Sequence, residues 1–496
     1  MKFRFPTPYT VLMGVIVFAA IATWILPAGN YSTLEYNSVS DVFEISSQNG
    51  VETMPATEVN LEELNITIGL ETFTSGDISR PVSVPGTYEQ VEAAPQGLIA
   101  IFMAPIKGMY AVIDIVLLVL VIGGFIGVFN NSGALDKGIA ALASKLQGRE
   151  SVLIILVTSL IALGGTTFGM AEETLAFYPI LVPVFLAAGY DLLVPVSVIY
   201  IGSSIGTMAS TVNPFATIIA SNAAGINWTI GLSSRLALLV LGTMFCIGYI
   251  VRYGKKVKAD PTQSLLHGLD LKSPFKHIHL NKNAEPLELK TILLLLLFGG
   301  TFVLMIIGVS QWHWWLTEMT TLFVIASILM GFLQRTGEQA FIKEFIRGAK
   351  DLLGVCFIIG IARGVTIIMN DGKISDTILY ESVQIVQGMS GFAFLPALFV
   401  VFFVMGFFIS SSSGLAVVSM PIMSSLSQII GVPTEEIVNA YQFGFGLMLF
   451  ITPAGLVLPS LAMVNVSYNT WLKFIWPLLL MLAALSILIL WAGLLL

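Results

Sequence analysis

Seven apolar runs set the rhythm of the chain, at residues 9–27, 111–129, 232–251, 289–309, 352–370, 391–409 and 472–496. Each is about the length that a helix needs to cross a bilayer core. None shows the strict alternation of barrel strands. Hydrocarbon demands that every backbone donor and acceptor be paired internally, which leaves helices or closed barrels. The pattern therefore predicts an all-α polytopic membrane protein. The first run follows Lys2 and Arg4, is longer than a signal-peptide core, and ends at Pro27-Ala28-Gly29 without a small-x-small cleavage site. It reads as a retained first helix. Segments 134–147 and 373–387 read as amphipathic helices lying on the membrane surface. Trp312, Trp314 and Trp315 read as an interfacial aromatic belt.

The shorter apolar stretches repeat. A shift of about 240 residues lays Asn131-Ser132-Gly133 on Asn370-Asp371-Gly372, Pro179 on Pro421, Gly189 on Gly431 and Asn213-Pro214 on Thr452-Pro453, with Trp228 near Trp471. Within each unit two apolar helices are interrupted by small polar residues. Ser151–Leu163 is short for a full crossing, at about 1.5 Å per residue. It runs into Gly164-Gly165-Thr166-Thr167 and Glu172-Glu173-Thr174 before a second short helix returns to Gly189, which predicts a re-entrant hairpin over 151–189. Its counterpart over 391–431 has a tip at Ser410-Ser411-Ser412-Ser413-Gly414. Broken helices follow over 192–225, interrupted at Thr211-Val212-Asn213-Pro214, and over 435–463, interrupted at Thr452-Pro453-Ala454-Gly455.

Composition agrees with the pattern. Of 496 residues, 56% are hydrophobic and 11% charged, against roughly 25% charged in soluble domains. The net charge of −7 matters less than its segregation. Lysine and arginine mark cytosolic loops. Lys2 and Arg4, then Lys137, Lys145 and Arg149, then the linker lysines from Lys255 to Lys282, and then Arg335, Lys343, Arg347 and Lys350 all belong inside. The 30–96 segment, with eleven acidic residues and a single basic one, Arg80, belongs outside, as does 371–390. Asn131 and Asn370 then end their helices on opposite sides, so the repeats are inverted, an arrangement that holds substrate near the midplane. The resulting map is a first helix to residue 29, an acidic extracytosolic segment 30–96, repeat one over 97–252, a basic linker 253–288 and repeat two over 289–496. The amino terminus is expected in the cytosol and the carboxyl terminus outside, in a multi-pass cell (inner) membrane protein.

Charge within the apolar interior is costly and marks function. Glu172 and Glu173 have no acidic match beside Gly414. They suit a cationic substrate group or a proton. Arg363, midway along 352–370, suits a substrate carboxylate or an ion pair with those glutamates. Proline breaks the helical ladder. The freed carbonyls suit a cation, and half-helix N-termini suit a carboxylate. The expected binding residues are Thr166, Thr167, Glu172, Glu173, Thr211, Asn213, Pro214, Arg363, Ser410, Ser411, Ser412, Ser413, Thr452 and Pro453. Asp114 reads as interfacial, and Lys107 and Lys473 as snorkelling anchors. Cys246 and Cys356 read as small core residues, His277 and His279 as solvated linker residues, and no metal-ligand spacing is present.

Several motifs resemble a known family. Phe5-Pro6-Thr7-Pro8-Tyr9-Thr10, Trp24-Ile25-Leu26-Pro27-Ala28-Gly29, Val84-Pro85-Gly86-Thr87-Tyr88, Pro95-Gln96-Gly97, Ala104-Pro105-Ile106-Lys107-Gly108, Gly169-Met170-Ala171-Glu172-Glu173-Thr174 and Thr452-Pro453 resemble YfcC-type members of the anaerobic four-carbon dicarboxylate carrier group, in the ion transporter superfamily. The resemblance spans nearly the whole chain. It implies a scaffold domain and a hairpin-bearing transport domain, often a dimer, moving elevator-fashion. It also implies exchange of basic amino acids such as arginine and ornithine, with dicarboxylates carried by relatives. The 30–96 segment is longer than the family leads one to expect.

The expected function is thus secondary transport, first of a basic amino acid and alternatively of a dicarboxylate, coupled to protons or sodium. No cofactor, catalytic residue or nucleic-acid partner is expected; the partners are a small-molecule substrate, the bilayer and a second copy in a homodimer. An intramembrane hydrolase built on Ser410–Ser413 would lack a base, since none of the four histidines lies mid-helix. A pore lined by hairpins is the other alternative.

Overall fold

The computed structural model of the chain describes residues 7–76, 78, 80–134, 137–138, 150–269, 288–312 and 314–495. Helix α1 (Pro8–Ile25) opens on proline, where a missing N–H costs no helical bond. The acidic segment that follows folds as a small β unit. Strands β1 (Gly29–Asn30), β2 (Thr33–Asn37), β3 (Val42–Ser47) and β4 (Gly50–Pro55) lead through α2 (Glu58–Glu63) and α3 (Leu70–Thr74) to β5 (Val82–Ser83) and β6 (Glu89–Gln90). Four strands pair in the order β4-β3-β2-β5, and β1 pairs with β6. Leu34, Phe43, Leu61, Phe73 and Val82 are buried between sheet and helices, with the rings of Phe43 and Phe73 edge to face at 5.2 Å.

Next come α4 (Leu98–Ala111), α5 (Ile113–Asn130), α6 (Glu150–Phe168), a tight turn, a 3₁₀ stretch over Glu172–Phe177, and α7 (Tyr178–Ala187). The broken helix follows as α8 (Leu193–Met208), a wide turn over Pro214–Ile218 and α9 (Ile219–Ala223). Long helices α10 (Leu232–Ala259), α11 (Leu289–Gln311), α12 (Leu316–Gln334) and α13 (Glu338–Asp371) complete the middle of the chain. The last third is α14 (Ser375–Val386), α15 (Gly391–Phe408), α16 (Ser412–Ile430), α17 (Thr434–Leu449), α18 (Val457–Ala462) and α19 (Tyr468–Leu495). Among the described residues, nine helices are long and apolar enough to cross a membrane.

A seam of glycines packs α4 and α5 end to end along α13. A methyl group on Gly108, Gly123 or Gly127 would run into the backbone carbonyls of Gly360, Gly348 and Glu344. Such close backbone approach is how membrane helices gain packing energy where lipid offers no hydrophobic drive. The contacts run antiparallel, so Lys107 meets Asp371 at 2.6 Å while Gly127 lies beside Glu344. Lys107, expected as a snorkelling anchor, is an ion-pair partner of Asp371.

The structure departs from the sequence reading in four places, the first being the β unit, whose six short strands an all-α reading does not predict. The Gly164-Gly165 pair does not end its helix: α6 continues to Phe168, and Gly165 lies under α8, where a Cβ would be 2.7 Å from the Ser203 carbonyl. Helix α12 is a further crossing candidate, diluted in sequence by its Thr and Gln residues. Helix α10 runs through Lys255, Lys256 and Lys258, inside the expected linker, where lysines near a C-terminus suit the helix dipole. Asp114 sits in the first turn of α5, at its joint with α4. The histidines at 277 and 279 and most of the expected amphipathic segment 134–147 lie outside the described residues.

The β unit is moored on two sides. Toward α14, Tyr31 donates its backbone N–H to Asp376 at 3.0 Å, the Tyr88 and Thr377 hydroxyls meet at 2.9 Å, and Tyr88 stacks on Tyr380 at 4.1 Å. Toward the hairpin arm α16, Thr67 and Ser424 share a hydrogen bond of 3.0 Å, and Ser425 donates to the Asn65 carbonyl at 3.1 Å. Thr67 also donates to the Ala224 carbonyl, beyond the end of α9, at 3.2 Å.

Candidate functional site

The break after α8 is held open by the end of α6. The N–H groups of Thr211 and Val212 both donate to the Thr166 carbonyl at 3.2 Å, and that of Thr211 also to the Thr166 hydroxyl at 3.0 Å. The Thr166 hydroxyl donates in turn to the Ala209 carbonyl at 2.8 Å. Thr166 thus pairs the backbone groups of residues 209–212 that the break leaves without helical partners, and the Ser210 carbonyl, which Pro214 has no N–H to reach, accepts from the Thr217 hydroxyl at 3.0 Å. Asn213 caps the next turn, accepting from the Phe215 N–H at 2.9 Å. Gly169 (φ +74°) reverses the chain beside Asn213, in a conformation and a space that both exclude a side chain. Gln442 of α17 adds a brace that the sequence reading missed, donating to the Thr207 carbonyl at 2.6 Å.

The second hairpin reaches the same break. Its tip lies between α15 and α16, where Ser411 caps α16 by accepting from the Gly414 N–H at 3.2 Å. Ser412 donates to the Phe215 carbonyl at 3.1 Å, and Ser410 meets Thr366 of α13 at 3.3 Å. Ser413 is buried just inside α16. Ser410 thus bonds to α13, whereas Thr166, Thr211, Asn213, Pro214 and Ser412 are joined through one break. Thr167 is not: it bonds back to the Leu163 carbonyl at 2.7 Å and is exposed.

The two tip glutamates have separate surroundings. Buried Glu173 accepts from the Ala171 N–H at 3.0 Å and so fixes its own turn. The Glu172 side chain makes no hydrogen bond or ion pair with another residue among the described residues. The expected ion pair between Arg363 and a glutamate is likewise absent among the described residues, and Arg363 Nε is buried with no partner.

The second break, after α17, differs from what proline alone suggests. Its carbonyls are not left open: Tyr200, Trp471 and Tyr468 donate to those of Leu449, Phe450 and Ile451 respectively. Among the described residues Thr452 Oγ1 is buried with no partner, and no hydrogen bond joins Thr452 or Pro453 to the first break. Sequence reasoning also passed over Arg235, fully buried in α10, which donates to the Ile230 carbonyl at 3.0 Å. Its charge within an apolar run was the available signal. A separate cleft of about 550 Å³ opens beside Lys107 and Asp371 and contains none of these groups.

Interrupted helices braced by paired hairpins, within a bundle of membrane-spanning length and with charge held inside it, define a polytopic membrane transporter. Comparison with known proteins gives the family. The chain belongs to the C4-dicarboxylate anaerobic carrier family, DcuC, whose model matches residues 5–494. It is 42% identical over 484 residues to an uncharacterized protein of Haemophilus influenzae, covering 96% of this chain and 94% of the relative. It is 26% identical over 495 residues to the Escherichia coli K12 protein named "Putative basic amino acid antiporter YfcC", covering 95% and 93%. The solved YdaH transporter of Alcanivorax borkumensis matches at 16% identity and a TM-score of 0.41, over 98% of each chain. MtrF of Neisseria gonorrhoeae matches at 16% and 0.39, over 98% of this chain and 94% of its own.

Proposed function

We propose that the chain is a secondary carrier that exchanges basic amino acids across the cell membrane. The observation that carries this reading is that neither Glu172 nor Arg363 has an ion-pair partner among the described residues, which leaves one carboxyl and one guanidinium for a ligand. Such a pair matches a zwitterion with a cationic side chain: Glu172 receives the guanidinium or ammonium, and Arg363 the α-carboxylate. The name of the Escherichia coli relative points the same way. The protein works as two inverted repeats, with hairpins 151–189 and 391–431 and broken helices 192–225 and 435–463. The antiparallel course of α5 and α13 supports that reading. The hairpins and broken helices move together against the rod of α4, α5 and α13, with the β unit outside the cell, the amino terminus inside and a second copy completing a dimer.

Proteoliposomes preloaded with ornithine should take up labelled arginine; no exchange with any member of a cationic amino acid panel would remove the reading. A second reading, a proton- or sodium-coupled dicarboxylate carrier, is favoured by the family's description. There the glutamates bind the coupling ion. Succinate uptake that persists without arginine and collapses with the ion gradient would select it.

A further inference from the structure

Arg80 is the single basic residue between Asn30 and Gln96, and the fold spends it in an unexpected place. Strand β5 lies along α16, and Arg80, just ahead of it, reaches the tip of the second hairpin. Its Nη1 is 3.9 Å from where a Cβ on Gly414 would stand, with Ser411 Oγ 3.1 Å from that same point. Helix α13, which carries Arg363, also meets the tip. One turn further along α13, Thr366 meets Ser410 at 3.3 Å.

Two guanidinium groups near one another disfavour each other. Neither has a carboxylate partner among the described residues, and the buried Arg363 Nε has no partner. The surroundings supply hydroxyls from Ser410 and Ser411 and the first turn of α16, whose helix end favours negative charge. An anion between the two forks relieves the repulsion and uses both, and a carboxylate fits the fork geometry. We propose that Arg80 and Arg363 together seat one substrate carboxylate at the tip of the second hairpin, so that the β unit supplies a specificity-determining residue to the transport site. This rests on the carrier reading above and holds for an amino acid or a dicarboxylate alike.

The test uses the full-length protein in detergent, with L-arginine, agmatine (the same cation without the carboxylate) and succinate as probes. Ligand-dependent shifts of the thermal unfolding midpoint give apparent affinities. Arg80→Ala is expected to weaken the carboxylate ligand that the wild type binds by about tenfold or more, the scale of a lost charged hydrogen-bond pair. Agmatine binding and the unliganded midpoint should not move. Arg80→Lys, which keeps charge but loses the fork, should fall between. Succinate binding without arginine binding would end the amino acid reading yet leave Arg80 in its role, provided the alanine variant loses succinate. Unchanged carboxylate affinity in Arg80→Ala, or a wild type that binds neither carboxylate, overturns the proposal.

Discussion

At the scale of single residues, adjacent glutamates carry different work. Glu173 closes its own turn on the Ala171 N–H, whereas Glu172 is uncommitted. Glu172→Gln should abolish most substrate exchange while the thermal midpoint stays near that of the wild type. Glu173→Ala should lower stability by about 1 kcal/mol, the worth of an ordinary hydrogen bond, which thermal unfolding in detergent would detect. Thr166 carries more. Thr166→Val keeps the shape but strands the buried Ala209 carbonyl, a loss of about 1–3 kcal/mol. Circular dichroism melts of the purified variant read that loss directly. Glu172, Glu173 and Arg363 were legible from sequence because charge within an apolar run stands out, though Arg235 carried the same signal and was passed over. Which hydroxyls are spent on backbone was not: Thr166 and Thr167 are neighbours in sequence, and helical geometry alone sends one into the break and the other away.

At the scale of elements, both breaks were legible because proline and its polar neighbours recur at matched positions. The end of α6 was misjudged because glycine serves two purposes, breaking helices in water and packing them in lipid. The β unit stayed hidden since its strands are short and its outer face is charged, with Glu35 directly opposite Glu44. Its mooring to α14 should respond to pH. Burial raises Asp376 above the ordinary carboxylate range, opposed by the hydrogen bond from the Tyr31 N–H. A group whose value is raised by folding adds stability while protonated, and that contribution is lost as pH rises through the raised value. Limited proteolysis of the β unit should therefore quicken from acidic to neutral pH. Asp376→Asn, which still accepts from Tyr31, should flatten the response.

At the scale of the whole molecule, the proposed motion can be tested by tying its parts together. Thr67 and Ser424, with hydroxyls 3.0 Å apart, can be exchanged for cysteines in a background where the buried Cys246 and Cys356 are replaced by alanine. If the hairpin arm must travel past the β unit, oxidation should arrest exchange and reduction should restore it; undiminished exchange in the fully oxidised protein would mean that the two ride together. Labelling of single cysteines after Asn131 and after Asn370 should find them on opposite membrane faces, the topology that the charge pattern alone could suggest. The glycine seam narrows what else can move. Where backbone touches backbone, a slip of even one residue drives a side chain into a carbonyl, so α4, α5 and α13 have no intermediate register in which to pause. They are a fixed rail, and any stroke the carrier makes must be taken up by the parts that lean on it.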